Sequence, residues 1–359
     1  MTTIDVGGRL IGDDQPIYFI AEAGVNHNGS VELAERLVSI AAECGADAVK
    51  FQKRTVSEIL ITEALERPYL TPTSLGATYG EHRQKLELSD EDWYYLFDCA
   101  VAEDITLLAS GWDARSVDFL DELGVPAFKT ASADLTNLPL LEHTARKGKP
   151  MFVSTGMATL DEVAEALAVV RKHLDDQVVL LQCTSLYPCD NDKLNLRVIQ
   201  TYRQRFDVLV GYSGHERGLA PTEAAAALGA CLIERHFTVD RTMIGPDHAA
   251  SLEPEGLRRL VRNVRNIEKA LGDGQKAMLP EEWAVRDRLA KSIVAACDIS
   301  AGTVITAEML TTKGPGNGLQ PRYIGDLCGR IADQDIAADT LLPTDALSWE
   351  RAAPAVAGY

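Results

Sequence analysis

Two histidines stand where chemistry is possible. His215 follows the apolar run VLVGYS at 208–213, and His236 lies near the end of the run CLIERHF at 231–237. The helix former PTEAAAALGA lies between them, so 208–247 reads as strand, helix, strand. Two imidazoles on adjacent strand ends could bind one divalent metal and leave positions open for substrate. They could equally be a hydrogen-bonded structural pair. The other apolar runs also end in polar residues: Glu22 in IYFIAEAG, Lys50 and Gln52 in DAVKFQ, Ser110 in ITLLAS, and Lys129 with Ser132 in PAFKTAS. Ser154 closes the strand in PMFVSTG, Ser185 and Tyr187 follow VVLLQCT, and Ser213 precedes His215. Two lysines and a ring of hydroxyls suit a small phosphorylated or carboxylated anion. The imidazoles suit a metal that polarises a carbonyl, and Glu22 could move protons or help bind that metal. Singly, either lysine could form a Schiff base or a salt bridge, the serines could be turn residues and Tyr187 a wall. Together on one rim they are costly unless they serve a site.

The elements that must position them alternate regularly. Eight apolar strand runs, each followed by a helical stretch, predict a closed parallel α/β barrel, a (β/α)8 TIM barrel, whose chemistry lies at the C-terminal strand ends. Ser30, Ser89 and the Thr159–Glu162 pair read as helix N-caps. The connection 54–88, with Pro68, Pro72 and Gly76, is long enough to serve the active face. The barrel domain is expected over 1–272, with LEPEGLRRLVRNVRNIEKALG as its last helix and a polar linker at 273–290. Short β-rich runs then predict a second, small domain over 291–359. A core that small is marginal alone and leans on a partner surface.

Composition narrows the class. The 359 residues are 46% apolar and carry a net charge of −18, which argues against a nucleic-acid partner. An anionic substrate then needs local lysines. Seven cysteines at scattered positions, with no CxxC pair, read as reduced thiols of a cytoplasmic protein. The N-terminus has no signal-peptide pattern, and no apolar run reaches membrane-spanning length.

The motifs IAEAGVNHNGS, GADAVKFQK, FKTAS, VSTGM, QCTSLYP, GYSGHERG, ERHFT and GPDHAASLEP occur in this order, and together they resemble the sialic acid synthase family. The likeness runs from about residue 15 to the C-terminus, and the small domain resembles the family's antifreeze-like (SAF) module. The resemblance implies condensation of phosphoenolpyruvate with an N-acetylmannosamine-like aldose to a nonulosonic acid, with release of phosphate. It implies that His215 and His236 hold a divalent metal, usually manganese, with magnesium or cobalt as alternatives. Lys50, Ser110, Lys129, Ser132, Ser154, Ser185 and Ser213 then fall on phosphoenolpyruvate-binding positions. Glu22 falls on the catalytic carboxylate, and Gln52, Tyr187 and Asp247 fall on the sugar.

Three residues depart from bacterial members: Ser185 in place of Asn, Gly214 in place of Asp, and Gly314 in place of an Arg that reaches the sugar's acyl group. ERPY and TYGEH resemble the animal-type enzymes, which use 6-phosphorylated sugars, so a 9-phosphate-producing or a legionaminate-type synthase stands beside the main reading. The family also implies a domain-swapped homodimer, with Lys313–Gly318 near the partner's sugar site. A Schiff-base aldolase using Lys129 and an ice- or carbohydrate-binding module are the readings from other classes.

Overall fold

Alternating strand and helix runs fold here as their periodicities dictate. The computed structural model describes residues 3–352, so 353–359 of the expected small domain lie outside the described residues. The chain divides into one unit ending at Asp273 and another beginning at Gly274.

The first unit opens with an antiparallel hairpin, β1 (Ile4–Val6) and β2 (Arg9–Ile11). Eight strands follow: β3 (Tyr18–Gly24), β4 (Ala48–Lys53), β5 (Thr106–Gly111), β6 (Phe128–Thr130), β7 (Met151–Ser154), β8 (Val178–Cys183), β9 (Leu209–Gly214) and β10 (Leu232–His236). They pair in parallel in this order, and β10 returns to β3, so the sheet closes. Burial on both faces explains why these strands read as nearly continuous apolar runs. One face packs on the helices through residues such as Phe19, Val49 and Leu107. The other fills the barrel with Tyr18, Ile20, Leu108, Phe152 and Leu181.

The hairpin was not foreseen. Three residues per strand are too few to show a period, yet Ile4, Val6 and Ile11 join the interior core. The expected caps form: Ser30 accepts from Leu33 N, and Ser89 and Thr159 each close a capping box. The 54–88 connection is less irregular than the sequence suggests, with short helices at Val56–Ile59, Thr62–Leu65 and Tyr79–Gln84.

In the second unit, the segment read as a polar linker contains the helix Trp283–Leu289. At seven residues it is too short for a clear apolar period. Beyond it β11 (Ser292–Ala295) pairs antiparallel with β12 (Leu310–Lys313), over a core that includes Ile293, Ile305, Leu327, Leu342 and Trp349. No helix among the described residues is long and apolar enough to cross a membrane.

Candidate active site

Strand register assembles the site. His236 is level with Glu22, Glu22 with Lys50, Gln52 with Ser110, and Ser110 with Lys129. Glu234 is level with Ser213, and Ser213 with Cys183. Parallel pairing in this register carries polar residues from separate strands to one end of the barrel. There they line a cavity of about 240 Å3. Of the residues proposed from sequence, Glu22, Lys50, Gln52, Ser110, Lys129, Ser132, Ser154, Ser185, Tyr187, Ser213, His215 and His236 all face it. Asp247 stands beside it, with Oδ2 4.0 Å from His236 Nδ1. A larger cavity, about 730 Å3, lies under the 54–88 connection and collects none of these residues.

The floor of the site is a buried charge network. Lys50 Nζ lies 2.8 Å from Glu22 Oε2 and 3.8 Å from Glu234 Oε2, and donates to Ser110 Oγ at 3.1 Å. Lys129 Nζ lies 3.9 Å from Glu234 Oε1 and donates to Thr130 O at 2.9 Å. Ser213 donates to Glu234 Oε1 at 3.1 Å, and Gln52 Nε2 to Glu22 Oε1 at 3.2 Å. Two bases and two acids thus share one buried volume. Burial pushes the Glu22 carboxyl up to about 7 against the pull of Lys50, and Glu234 adds to the push. Burial would raise Glu234 too, but Lys129 and Lys50 hold it below the usual carboxylate range. Lys129 is lowered by burial, despite Glu234, whereas Glu22 and Glu234 overcome burial and raise Lys50. Glu22 can therefore change charge near neutrality, while Glu234 stays ionised.

Glu234 and Cys183 escaped the sequence reading. The signal was present: each lies two residues before a proposed site residue, His236 or Ser185, and in a strand that spacing means the same face. Trp112, two after Ser110, also lines the cavity.

The rim holds the histidines. Their ring centroids are 5.4 Å apart, and Tyr187 packs on both, at 4.0 Å from His215 and 5.9 Å from His236. His215 Nδ1 lies 2.9 Å from Thr184 O, which places the proton on Nδ1 and leaves the other nitrogen as a lone pair. His236 Nδ1 is buried without a hydrogen-bond partner among the described residues. Burial first, then His215 and Lys50, hold His236 far below its ordinary range, so it is neutral. Space is kept clear by Gly24, at φ +57°. A Cβ there would stand 3.3 Å from His236 Cε1 and 3.4 Å from both Asp247 Oδ2 and Gln52 Nε2. Two imidazoles, one of them neutral with an orphaned nitrogen, and a nearby carboxylate fit a divalent cation chemically. Among the described residues no three His, Cys, Asp or Glu side chains gather into a complete cage. The pair would leave positions for substrate oxygen.

On the opposite wall the Gly156 amide donates to Ser132 Oγ at 3.0 Å, and a Cβ at Gly156 would collide with the hydroxyls of Ser185 and Ser132. Ser154 Oγ is buried without a partner among the described residues. Hydroxyls converging on a backbone amide beside two lysines suit an anion. Gly214 is required by packing: a Cβ would lie 2.6 Å from Tyr212 Cε1 and would also strike Glu216.

The profile of the NeuB family matches residues 37–276, two thirds of the chain, and that of the SAF domain matches 290–348. The chain belongs to the NeuB family. The mouse N-acetylneuraminate-9-phosphate synthase is 47% identical over 325 residues, 90% of each chain. The Campylobacter jejuni N,N'-diacetyllegionaminic acid synthase is 42% identical over 326 residues, covering 90% of this chain and 98% of its own. Among solved structures, the N-acetylneuraminic acid synthetase of Leptospira borgpetersenii, in complex with citrate, superimposes with a TM-score of 0.70 at 32% identity, covering 79% of this chain and 95% of that one. In this NeuB-family barrel the strand ends named above form a rim where charge, hydroxyl and imidazole meet.

Proposed function

We propose that the chain is a transferase that condenses phosphoenolpyruvate with an N-acylated hexosamine aldehyde, forming a nine-carbon nonulosonic acid and phosphate. The observation that carries the reading is the buried Lys50–Glu22–Glu234–Lys129 network in the same cavity as His215 and His236. The methylene carbon of the enol bonds to the aldehyde carbon, whose oxygen takes a proton. Water adds at the central carbon, and phosphate leaves with the bridging oxygen. Lys50, Lys129 and the Ser132–Ser154–Ser185 wall hold carboxylate and phosphate, with Ser110 and Ser213 steadying Lys50 and Glu234. Glu22, titrating near neutrality, positions the water and takes its proton. Gln52, Tyr187 and Asp247 hold the sugar.

His215 and His236 would hold a divalent cation, with Mn2+ expected ahead of Mg2+ or Co2+. Such a cation polarises the aldehyde carbonyl. The assembly expected with this reading is a homodimer, and sedimentation as a monomer at micromolar concentration would count against it.

The test is phosphate release from phosphoenolpyruvate with a panel of N-acylated hexoses, after EDTA treatment and again with Mn2+ restored. Activity should need both the metal and His236; full turnover of metal-free His236→Ala would overturn the metal assignment. Borohydride with pyruvate should leave the protein unmodified. A trapped adduct on Lys129 would replace the synthase with a Schiff-base aldolase.

A further inference from the structure

The turn that follows β3 spends its side chains on another segment. Its backbone closes on itself, with Asn26 N donating to Ala23 O at 2.9 Å and Asn28 N to Val25 O at 3.0 Å. Asn28 takes a left-handed φ of +51°, which asparagine tolerates better than most side chains. Both side-chain amides then reach the segment between β10 and the helix Pro254–Leu271. Asn26 is buried, and its Nδ2 donates to Phe237 O at 2.8 Å and to Ser251 Oγ at 2.9 Å. Asn28 Nδ2 donates to Ile244 O at 2.8 Å. A Cβ on Gly245 would stand 2.8 Å from Asn28 Oδ1, so the two segments approach closely there.

The gripped segment is mostly irregular, with a short 3-10 turn at His248–Ala250. It carries Asp247, whose Oδ2 lies 4.0 Å from His236 Nδ1. Side chains on irregular backbone are placed less precisely than those on strands unless further hydrogen bonds hold them. Here those bonds run in series. Ser251 Oγ accepts from Asn26 and donates to Asp247 O at 2.7 Å, so its one proton is committed to the Asp247 backbone. Ala250 N donates to the same carbonyl at 3.2 Å. Near the start of the segment, Phe237 directly follows His236, and its N donates to Glu22 O at 2.9 Å. Asn26 therefore holds the segment near both ends with its two N–H groups, while its own Oδ1 has no partner among the described residues. A flipped amide would set Oδ1 against Phe237 O, acceptor on acceptor, which fixes the orientation.

We infer that Asn26 and Ser251 are positioning residues for Asp247: the relay from Asn26 Nδ2 through Ser251 Oγ to Asp247 O sets where that carboxylate meets the aldose. This rests on the synthase reading, in which Asp247 holds the sugar. Phosphoenolpyruvate is held by other residues, Lys50, Lys129 and the serine wall, so the relay bears on one substrate and not on the other.

The experiment measures both Michaelis constants in Ser251→Ala, Ser251→Thr and Asn26→Ala, using the N-acylated hexose that best drives phosphate release. Ser251→Ala should raise the aldose KM about fivefold, as expected for one neutral hydrogen bond, and leave the phosphoenolpyruvate KM within about twofold. Ser251→Thr keeps the hydroxyl and should recover most of the loss. Asn26→Ala should raise the aldose KM at least as much as Ser251→Ala. The deciding arm places Ser251→Ala in an Asp247→Ala background and reads the aldose Kd by tryptophan fluorescence. There it should add nothing, because a residue that acts through Asp247 has nothing left to place. A full, additive effect in that background overturns the inference, as does an equal rise in both KM values. If Asn26→Ala fails to fold, the Ser251 cycle decides alone. If no hexose drives phosphate release, the synthase reading falls, and hydrogen exchange of the full chain decides the relay. Ser251→Ala should then speed exchange at the amides of Ala250 and Leu252; unchanged exchange overturns the relay.

Discussion

Two charged networks meet on β10, one residue out of phase. Glu234 and His236 face the barrel mouth. Arg235, between them, faces the opposite way and meets Glu216 just beyond β9. There Arg235 Nη1 donates to Glu216 Oε1 at 2.7 Å and Nη2 to Glu216 O at 2.7 Å. Tyr212 Oη and Thr222 Oγ1 donate to the same carboxylate at 2.8 and 2.5 Å. Only Arg235 Nε lacks a partner among the described residues. The mouth is as buried but less satisfied: Glu234 Oε2, Ser154 Oγ and His236 Nδ1 all lack hydrogen-bond partners among the described residues. A charge network that closes on itself holds structure. One that leaves donors and acceptors open is arranged for something that arrives later.

The comparison breaks most visibly in stability. Arg235→Ala should cost about 3–5 kcal/mol, because it strands Glu216 as a buried charge. Urea unfolding measures this, and a loss below about 1 kcal/mol would mean the outer network is not structural. Acid should separate protein from solvent next. His27 is buried, accepts from Gly29 N through Nδ1 at 3.1 Å, and has its pKa lowered to about 3 by burial and then by Arg54. A lowered imidazole pKa means the folded state resists protonation. Its contribution is therefore fully present above pH 6.5 and is lost as pH falls from there towards 3. At about 1.36 kcal/mol per pH unit, roughly 2 kcal/mol should be gone by pH 5. His27→Gln should flatten that slope in denaturation measured between pH 7 and 5.

In the mouth, Lys50→Ala and Lys129→Ala should each raise the phosphoenolpyruvate KM or cut turnover at least about tenfold, since one charge-assisted contact is worth about 1.5–3 kcal/mol. Their unfolding free energies should fall by less than that of Arg235→Ala, because Glu22 can take a proton and Ser213 still donates to Glu234. Wild-type kinetics in both variants would exclude the lysines. The smallest change sharpens the boundary: Ser213→Ala removes a single neutral donor from Glu234 and should cost about 1 kcal/mol in stability, with a several-fold effect on KM.

Much of this site could be read before folding. Each strand run ends in a polar residue that such a run does not need, and the period of two turns that list into one rim. Glu234 was equally legible by the same period, but it lay inside an apolar run, where an acid is easily taken for a solvent-facing residue. The short helices of the 54–88 connection were not legible, because they have too few turns to show a period. The β1–β2 hairpin escaped for the same reason of length.

The sequence by itself determined the eightfold alternation, the caps that start the helices, and the identity of the groups at the strand ends. Those are local properties: apolar spacing, turn chemistry and side-chain type act over a few residues. Tertiary structure alone decided how the charges pair. Four ionisable groups from β3, β4, β6 and β10 share one buried volume, so whether Glu22 or Glu234 carries the shifted proton depends on a few ångströms of strand register. In low dielectric those distances set the energies. They exist only after the barrel has closed.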